Sequence, residues 1–220
     1  MIVTNTRSRQ PLVDLALSLD EADAGRADLW LPEVLMLGHS DDGRLWAQGP
    51  LSWQGGDTWA CEGRCLHYAH DNADGSLTLG AQVVETDNGW SLSLTVGNTT
   101  TQPWTDVVAC VCLQLPALPG FVDPDWRRTY YQTSGRHLSY AEAICDGGRD
   151  PYRMSLVKGR RQIVRTRRHR DKWGFTNELS DDGIIAVINK TADAVLSMTW
   201  EEVHHLQANK TPSFRCIHAN

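Results

Sequence analysis

The sequence is short of several things, and each shortage removes a class of protein. The start of the chain, MIVTNTRSRQPLVDLALSLDE, has no basic region followed by a long apolar run. Asp14 and the pair Asp20-Glu21 interrupt it, so it reads as neither a signal peptide nor a membrane span. A cytoplasmic location is the expectation that follows. Net positive charge is lacking too: the formal net charge is −6 over 220 residues. A general attraction for phosphate backbones is therefore missing, which disfavours nucleic-acid binding. There is no phosphate-binding Gly-rich loop, no Gly-x-Ser-x-Gly elbow and no dinucleotide fingerprint. Six cysteines in a chain of this length do not make a disulfide framework. Three Asn-x-Thr triplets begin at Asn98, Asn189 and Asn209, and without a secretory signal they carry little weight as glycosylation sites.

Long helical periods are also scarce, and period-two alternation takes their place. In SLTLGAQVVETDNGWSLSLTVGN (76–98), Leu77, Leu79, Ala81 and Val83 alternate with small or polar residues. After Asp87-Asn88-Gly89 the alternation resumes at Trp90, Leu92, Leu94 and Val96. This predicts a β-hairpin with one buried face. The run TDVVACVCLQL is apolar on both faces, as a central strand covered on both sides should be. A second hairpin is expected at 184–201, with Leu196, Met198 and Trp200 facing one way. Further strand candidates are EVLMLG, RLWAQG, TYYQT and RQIVRT. LVDLALSLDEAD and YAEAIC are each long enough for a short helix. The expected fold is all-β, an antiparallel β-sandwich or jelly roll with little helix, formed by one domain over 1–220.

Three stretches hold chemistry-bearing residues. CEGRCLHYAH (61–70) offers Cys61, Cys65, His67 and His70 as thiolate and imidazole donors for zinc. Its spacing differs from a standard zinc finger, and the cysteines fit equally well as small apolar groups. On one continuous strand Cys61, Cys65 and His67 would share a face that His70 does not. KGRRQIVRTRRHRDK (158–172) gathers eight Lys and Arg in an acidic protein. It suits either a solvated strand pair that resists edge association or an electropositive wall for an anionic substrate. The third stretch, SMTWEEVHHLQANKTPSFRCIHAN, turns abruptly polar after Trp200. Glu201, His204 and His218 there are candidates for acid–base chemistry, and a solvated loop is the plainer alternative.

The pattern Trp200-Glu201-x-x-His204-x4-Asn209, followed by Cys216-x-His218, resembles the C-terminal part of a group of uncharacterised bacterial β-sandwich proteins. The stretch LSLTVGNTTTQPWTDVVACVCLQL through ALPGF, with Asp123 after it, is similar to the same group. The group is in turn similar to galactose-mutarotase-like sandwiches, an analogy of fold. The resemblance implies action on a carbohydrate or a similar polar small molecule. In the resembling proteins the Cys-x-His segment runs on into a further strand, so an unpaired edge beside FRCIHAN or VLSMTW is expected, covered by a second copy in a homodimer.

Nine Trp against three Phe fit a sugar-binding protein, because indoles suit the apolar faces of pyranose rings. Trp104 and Trp126, in predicted loops, are the candidate platforms. Arg127, Arg128 and Asn209 are further substrate-binding candidates. The leading expectation is a hydrolase, lyase or epimerase using Glu201 and His204 as acid–base pair and His218 as orienter or second base. Two alternatives stand beside it. One is a zinc-dependent hydrolase with His67, His70, His204 and His218 as ligands and Glu201 as base. The other is a carbohydrate-binding or assembly module without catalysis.

Overall fold

The structure, a computed structural model, describes residues 2–3, 11–17, 25–37, 44–48, 59–71, 75–104, 107–133, 136–145, 153–158, 174–180, 183–191, 193–200, 205–210 and 215–219. These hold seventeen strands and one six-residue helix, so the protein is all-β as its alternation predicts. Among the described residues no helix is long and apolar enough to cross a membrane. RQIVRT and the rest of the basic run beyond Lys158 lie outside the described residues. The chain divides into two compact units: Met1–Ala16 with Asp28–Val111, and Leu17–Ala27 with Cys112–Asn220.

The chain opens with β1 (Ile2–Val3), β2 (Leu12–Leu17), β3 (Gly25–Leu37) and β4 (Arg44–Gln48); β1 pairs with β2, and β4 with β3, both antiparallel. β2 was a helix candidate, since Leu12, Val13, Leu15 and Leu17 satisfy either period. It is a strand in which Val13 and Leu15 are buried and their neighbours are half-buried.

A separate four-stranded meander follows, in the order β5 (Ala60–Glu62), β6 (Cys65–Asp71), β7 (Leu77–Thr86), β8 (Gly89–Asn98). Gly63 (φ 62°) and Arg64 form the two-residue turn between β5 and β6, a position where a left-handed backbone favours glycine. β7 and β8 pair from Leu77↔Asn98 to Thr86↔Gly89, the hairpin read from the sequence. Leu66, Tyr68, Leu77, Leu79, Ala81 and Val83 are buried on one face of this sheet. Each large aliphatic side chain among them stabilises the fold by roughly 1.5–3 kcal/mol relative to exposure. Asn98 closes the following loop: its Oδ1 accepts from Thr100 N (2.9 Å) and its Nδ2 donates to Gln102 O (2.7 Å). That Asn-x-Thr triplet therefore serves a turn.

β9 (Val108–Gln114) carries the chain into the second unit, and Cys110 through Leu113 are all buried, as a strand covered on both sides requires. Beyond it come β10 (Thr129–Thr133), β11 (Arg136–Ser139), α1 (Tyr140–Cys145), β12 (Arg153–Lys158) and β13 (Gly174–Ser180). The chain ends with β14 (Ile184–Ile188), β15 (Val195–Thr199), β16 (His205–Lys210) and β17 (Arg215–Ala219). One sheet has the order β11-β10-β14-β15, and in the other β17 lies between β9 and β16, followed by β12 and β13. β12–β13 is parallel, whereas β10–β11, β10–β14, β12–β16, β14–β15 and β16–β17 are antiparallel.

Ser139 and Glu142 form a capping box at α1: Glu142 N donates to Ser139 Oγ (3.2 Å), and Ser139 N donates back to Glu142 Oε2 (2.8 Å). The β14–β15 hairpin is present where expected, with Leu196 and Met198 buried. Its loop is organised by buried Asn189, whose Oδ1 accepts from Asp193 N (3.1 Å) and Ala194 N (3.2 Å). Among the described residues β15 ends its sheet, whereas β17 is paired on both sides.

Candidate functional site

The predicted site residues that are described belong to several different elements. Glu201 and His204 lie outside the described residues, so the proposed acid–base pair has no described geometry. His218 is on β17 and only 5% exposed. Asn209 occupies the β16 position opposite Cys216. Arg127 is exposed and Trp104 half-buried.

Trp126, expected in a loop as an open platform, is 4% exposed. Its ring packs against Tyr140 with centroids 4.3 Å apart. Its backbone adopts φ 57°, anchored by Trp126 N donating to Asp123 O (3.3 Å) and Ala141 N donating to Trp126 O (3.1 Å). A loop residue can thus be a core residue when the loop folds back over the sheet. Arg128 is similarly committed. It donates through Nη1 to Ile188 O (2.8 Å) and Gly120 O (3.3 Å), and through Nη2 to Val122 O (2.6 Å). Asp123 Oδ2 accepts from Arg128 N (2.8 Å) and Thr129 Oγ1 (2.9 Å), and Asp123 Oδ1 stands 3.8 Å from Arg128 Nε. The pair clamps the 120–129 segment, leaving little of the guanidinium for a ligand.

The four-histidine zinc set does not assemble among the described residues. Along β6, Leu66, Tyr68 and His70 are buried while Cys65 and His67 face the other way. His67 and His70 therefore point to opposite sides of one sheet. Cys61 departs from its expected face as well. The Gly63-Arg64 turn pairs Cys61 with Leu66 and Ala60 with His67, so Cys61 is opposite in sense to Cys65 and His67.

Two local arrangements emerge that the residue types alone do not reveal. In the first unit, the open face of the β5–β8 sheet has a hollow of about 540 Å³, lined by His67, Ala69, Gly80, Gln82, Ser93 and Thr95 among others. Register explains it. Ala69 and Thr95 flank Gly80, while His67 and Ser93 flank Gln82, giving a row of small residues beside a row of polar ones. Gln82 is oriented by donating from Nε2 to Cys65 Sγ (3.2 Å) and accepting at Oε1 from Ser93 Oγ (3.5 Å). The lining thus presents an imidazole, an amide and two hydroxyls, all able to donate and accept.

In the second unit, Cys216 and His218 share a face of β17, with Sγ and Nε2 3.0 Å apart. The donor atoms of Cys112, Cys216 and His218 all lie within 4.8 Å of one another, and all three residues are buried.

Protein-family models, curated proteins and solved structures give no match to this chain.

Of these features, the Cys-x-His step was legible as a same-face pair on any strand. Cys112 reads as a small apolar residue until its neighbouring strand is known. The hollow had a fainter signal: Ala69, Gly80, Ser93 and Thr95 are the small or hydroxylic outward positions of an alternating pattern.

Proposed function

We propose that this β-sandwich binds a carbohydrate or similar polar small molecule on the open face of its β5–β8 sheet. The observation that carries the reading is the hollow over Gly80. Its size is within the roughly 300–1,000 Å³ range of small-molecule sites. A floor of Ala69 and Gly80 lets the apolar face of a sugar ring approach the backbone. Gln82, Ser93, Thr95 and His67 supply hydroxyl-matched donors and acceptors around it. Neither Trp104 nor Trp126 lines the hollow, so the contact is with methyl groups and peptide planes rather than indole. The resemblance to galactose-mutarotase-like sandwiches implies the same ligand class.

Binding is favoured over turnover because, among its described lining residues, the hollow has one imidazole and no carboxylate. General acid–base chemistry on a glycoside ordinarily needs two groups on opposite sides of the bond.

The test fills the hollow from its floor. A Cβ placed on Gly80 meets only Thr95 Cβ, at 3.7 Å, an ordinary contact. Gly80→Val should therefore fold at least as well as the parent, since valine suits a strand better than glycine. Its methyl groups occupy the space a ligand needs. Calorimetric titration with a panel of mono- and disaccharides should find a ligand for the parent that Gly80→Val and Gln82→Ala have lost. A ligand bound equally by all three proteins refutes this placement.

A further inference from the structure

We propose that Cys112, Cys216 and His218 form a Zn²⁺ site within the second unit, separate from the sheet-face hollow and independent of it. Two thiols and an imidazole are the ligands zinc prefers, and a Cys₂His arrangement with a fourth position open is an established zinc geometry. Cys216 and His218 are two residues apart on β17, which has strand neighbours on both sides. Cys112 lies on β9, one of those neighbours. Two paired strands hold three donors without help from a loop, the rigidity a metal centre needs.

Geometry and charge agree. Tetrahedral zinc with Zn–S of about 2.3 Å and Zn–N of about 2.05 Å places sulfur and nitrogen about 3.6 Å apart. The Cys216 Sγ to His218 Nε2 separation is 3.0 Å, so ligation needs a spread of roughly half an ångström, within side-chain torsional reach. Binding converts two thiols and Zn²⁺ into two zinc-bound thiolates, with two protons released and neutral His218 as third ligand. The product is electrically neutral. Neutrality matters because all three residues are buried, and an uncompensated charge there is costly. A monovalent copper ion on the same two thiolates would leave a net negative charge, and the balance therefore selects a divalent ion.

The test uses the whole chain, expressed with zinc supplementation and purified without chelator. The parent should contain one zinc per chain. Co²⁺ in its place should give a thiolate-to-metal charge-transfer band of two-thiolate intensity with tetrahedral ligand-field bands. Cys112→Ser, Cys216→Ser and His218→Gln should each weaken Co²⁺ binding by about 100-fold or more, since each removes a direct ligand. The double variant Cys61→Ser/Cys65→Ser removes the thiols of the first unit that are not buried and should leave zinc content and spectrum unchanged. The Co²⁺ spectrum of the parent needs no substitution, so it decides the matter even if a ligand variant misfolds. A metal-free chain, a spectrum without thiolate charge transfer, or a signal lost only in the Cys61/Cys65 variant overturns the proposal.

Discussion

Replacing Arg128 by alanine separates a structural clamp from a substrate-binding group, two roles an arginine next to a turn can equally fill. The guanidinium donates to the carbonyls of Ile188, Gly120 and Val122 at 2.8, 3.3 and 2.6 Å. A hydrogen bond to a charged group contributes about 1.5–3 kcal/mol net when sheltered. The Arg128 side chain is 26% exposed, so water can replace part of what is lost. Discounting each bond to about 1 kcal/mol gives a loss near 3 kcal/mol. For a chain of this size 1 kcal/mol moves the thermal midpoint by about 2–4 °C, so Arg128→Ala should melt about 6–12 °C below the parent. Arg128→Lys should recover less than half of that, because one ammonium cannot span three carbonyls. Thermal and urea denaturation measure the loss, and sugar titration of the folded variant measures binding. A variant within about 2 °C of the parent that has lost its ligand would refute the clamp and restore Arg128 to the binding site.

Acid should weaken the β14–β15 hairpin. Asp193 is held below its ordinary value of 3.8 by hydrogen bonds from Asn189 and then Thr191. A depressed carboxylate stabilises the fold above its unfolded-state pKa, and that stability is lost as pH falls through the lower folded value. Asp193→Asn should therefore lower the midpoint at neutral pH and show a smaller further loss below about pH 4 than the parent. Leu79→Ala should destabilise by about 2–5 kcal/mol, whereas Ser91→Ala on the opposite face should stay within about 0.5 kcal/mol; equal effects would contradict the assigned faces. Among the described residues β15 ends its sheet, with Val195 62% exposed, the kind of edge a second copy can pair with. Light scattering should then give twice the monomer mass, returning to the monomer in Val195→Lys; a parent that is monomeric at high concentration would exclude this edge.

Local pattern was readable because it depends on neighbours in sequence. The alternation at 76–98 could only bury one face of a hairpin, and YAEAIC forms the short helix its length allows. Where two periods fitted the same residues, as in Leu12–Leu17, the choice fell to partners elsewhere: pairing with β1 makes this segment a strand.

Composition and alternation by themselves determined an all-β protein, its principal hairpins and the doubly covered strand containing Cys110 and Cys112. Tertiary structure alone decided that Trp126 is core, that Arg128 is a clamp and that Cys61 leaves the face shared by Cys65 and His67. It also decided that Cys112 stands beside Cys216 and His218, and that Gly80 floors a hollow. The reason is physical. Which face a strand residue occupies is set by a two-residue period that the sequence displays, whereas which strand lies alongside is set by the burial and hydrogen bonding of the whole sheet, to which residues distant in sequence contribute equally.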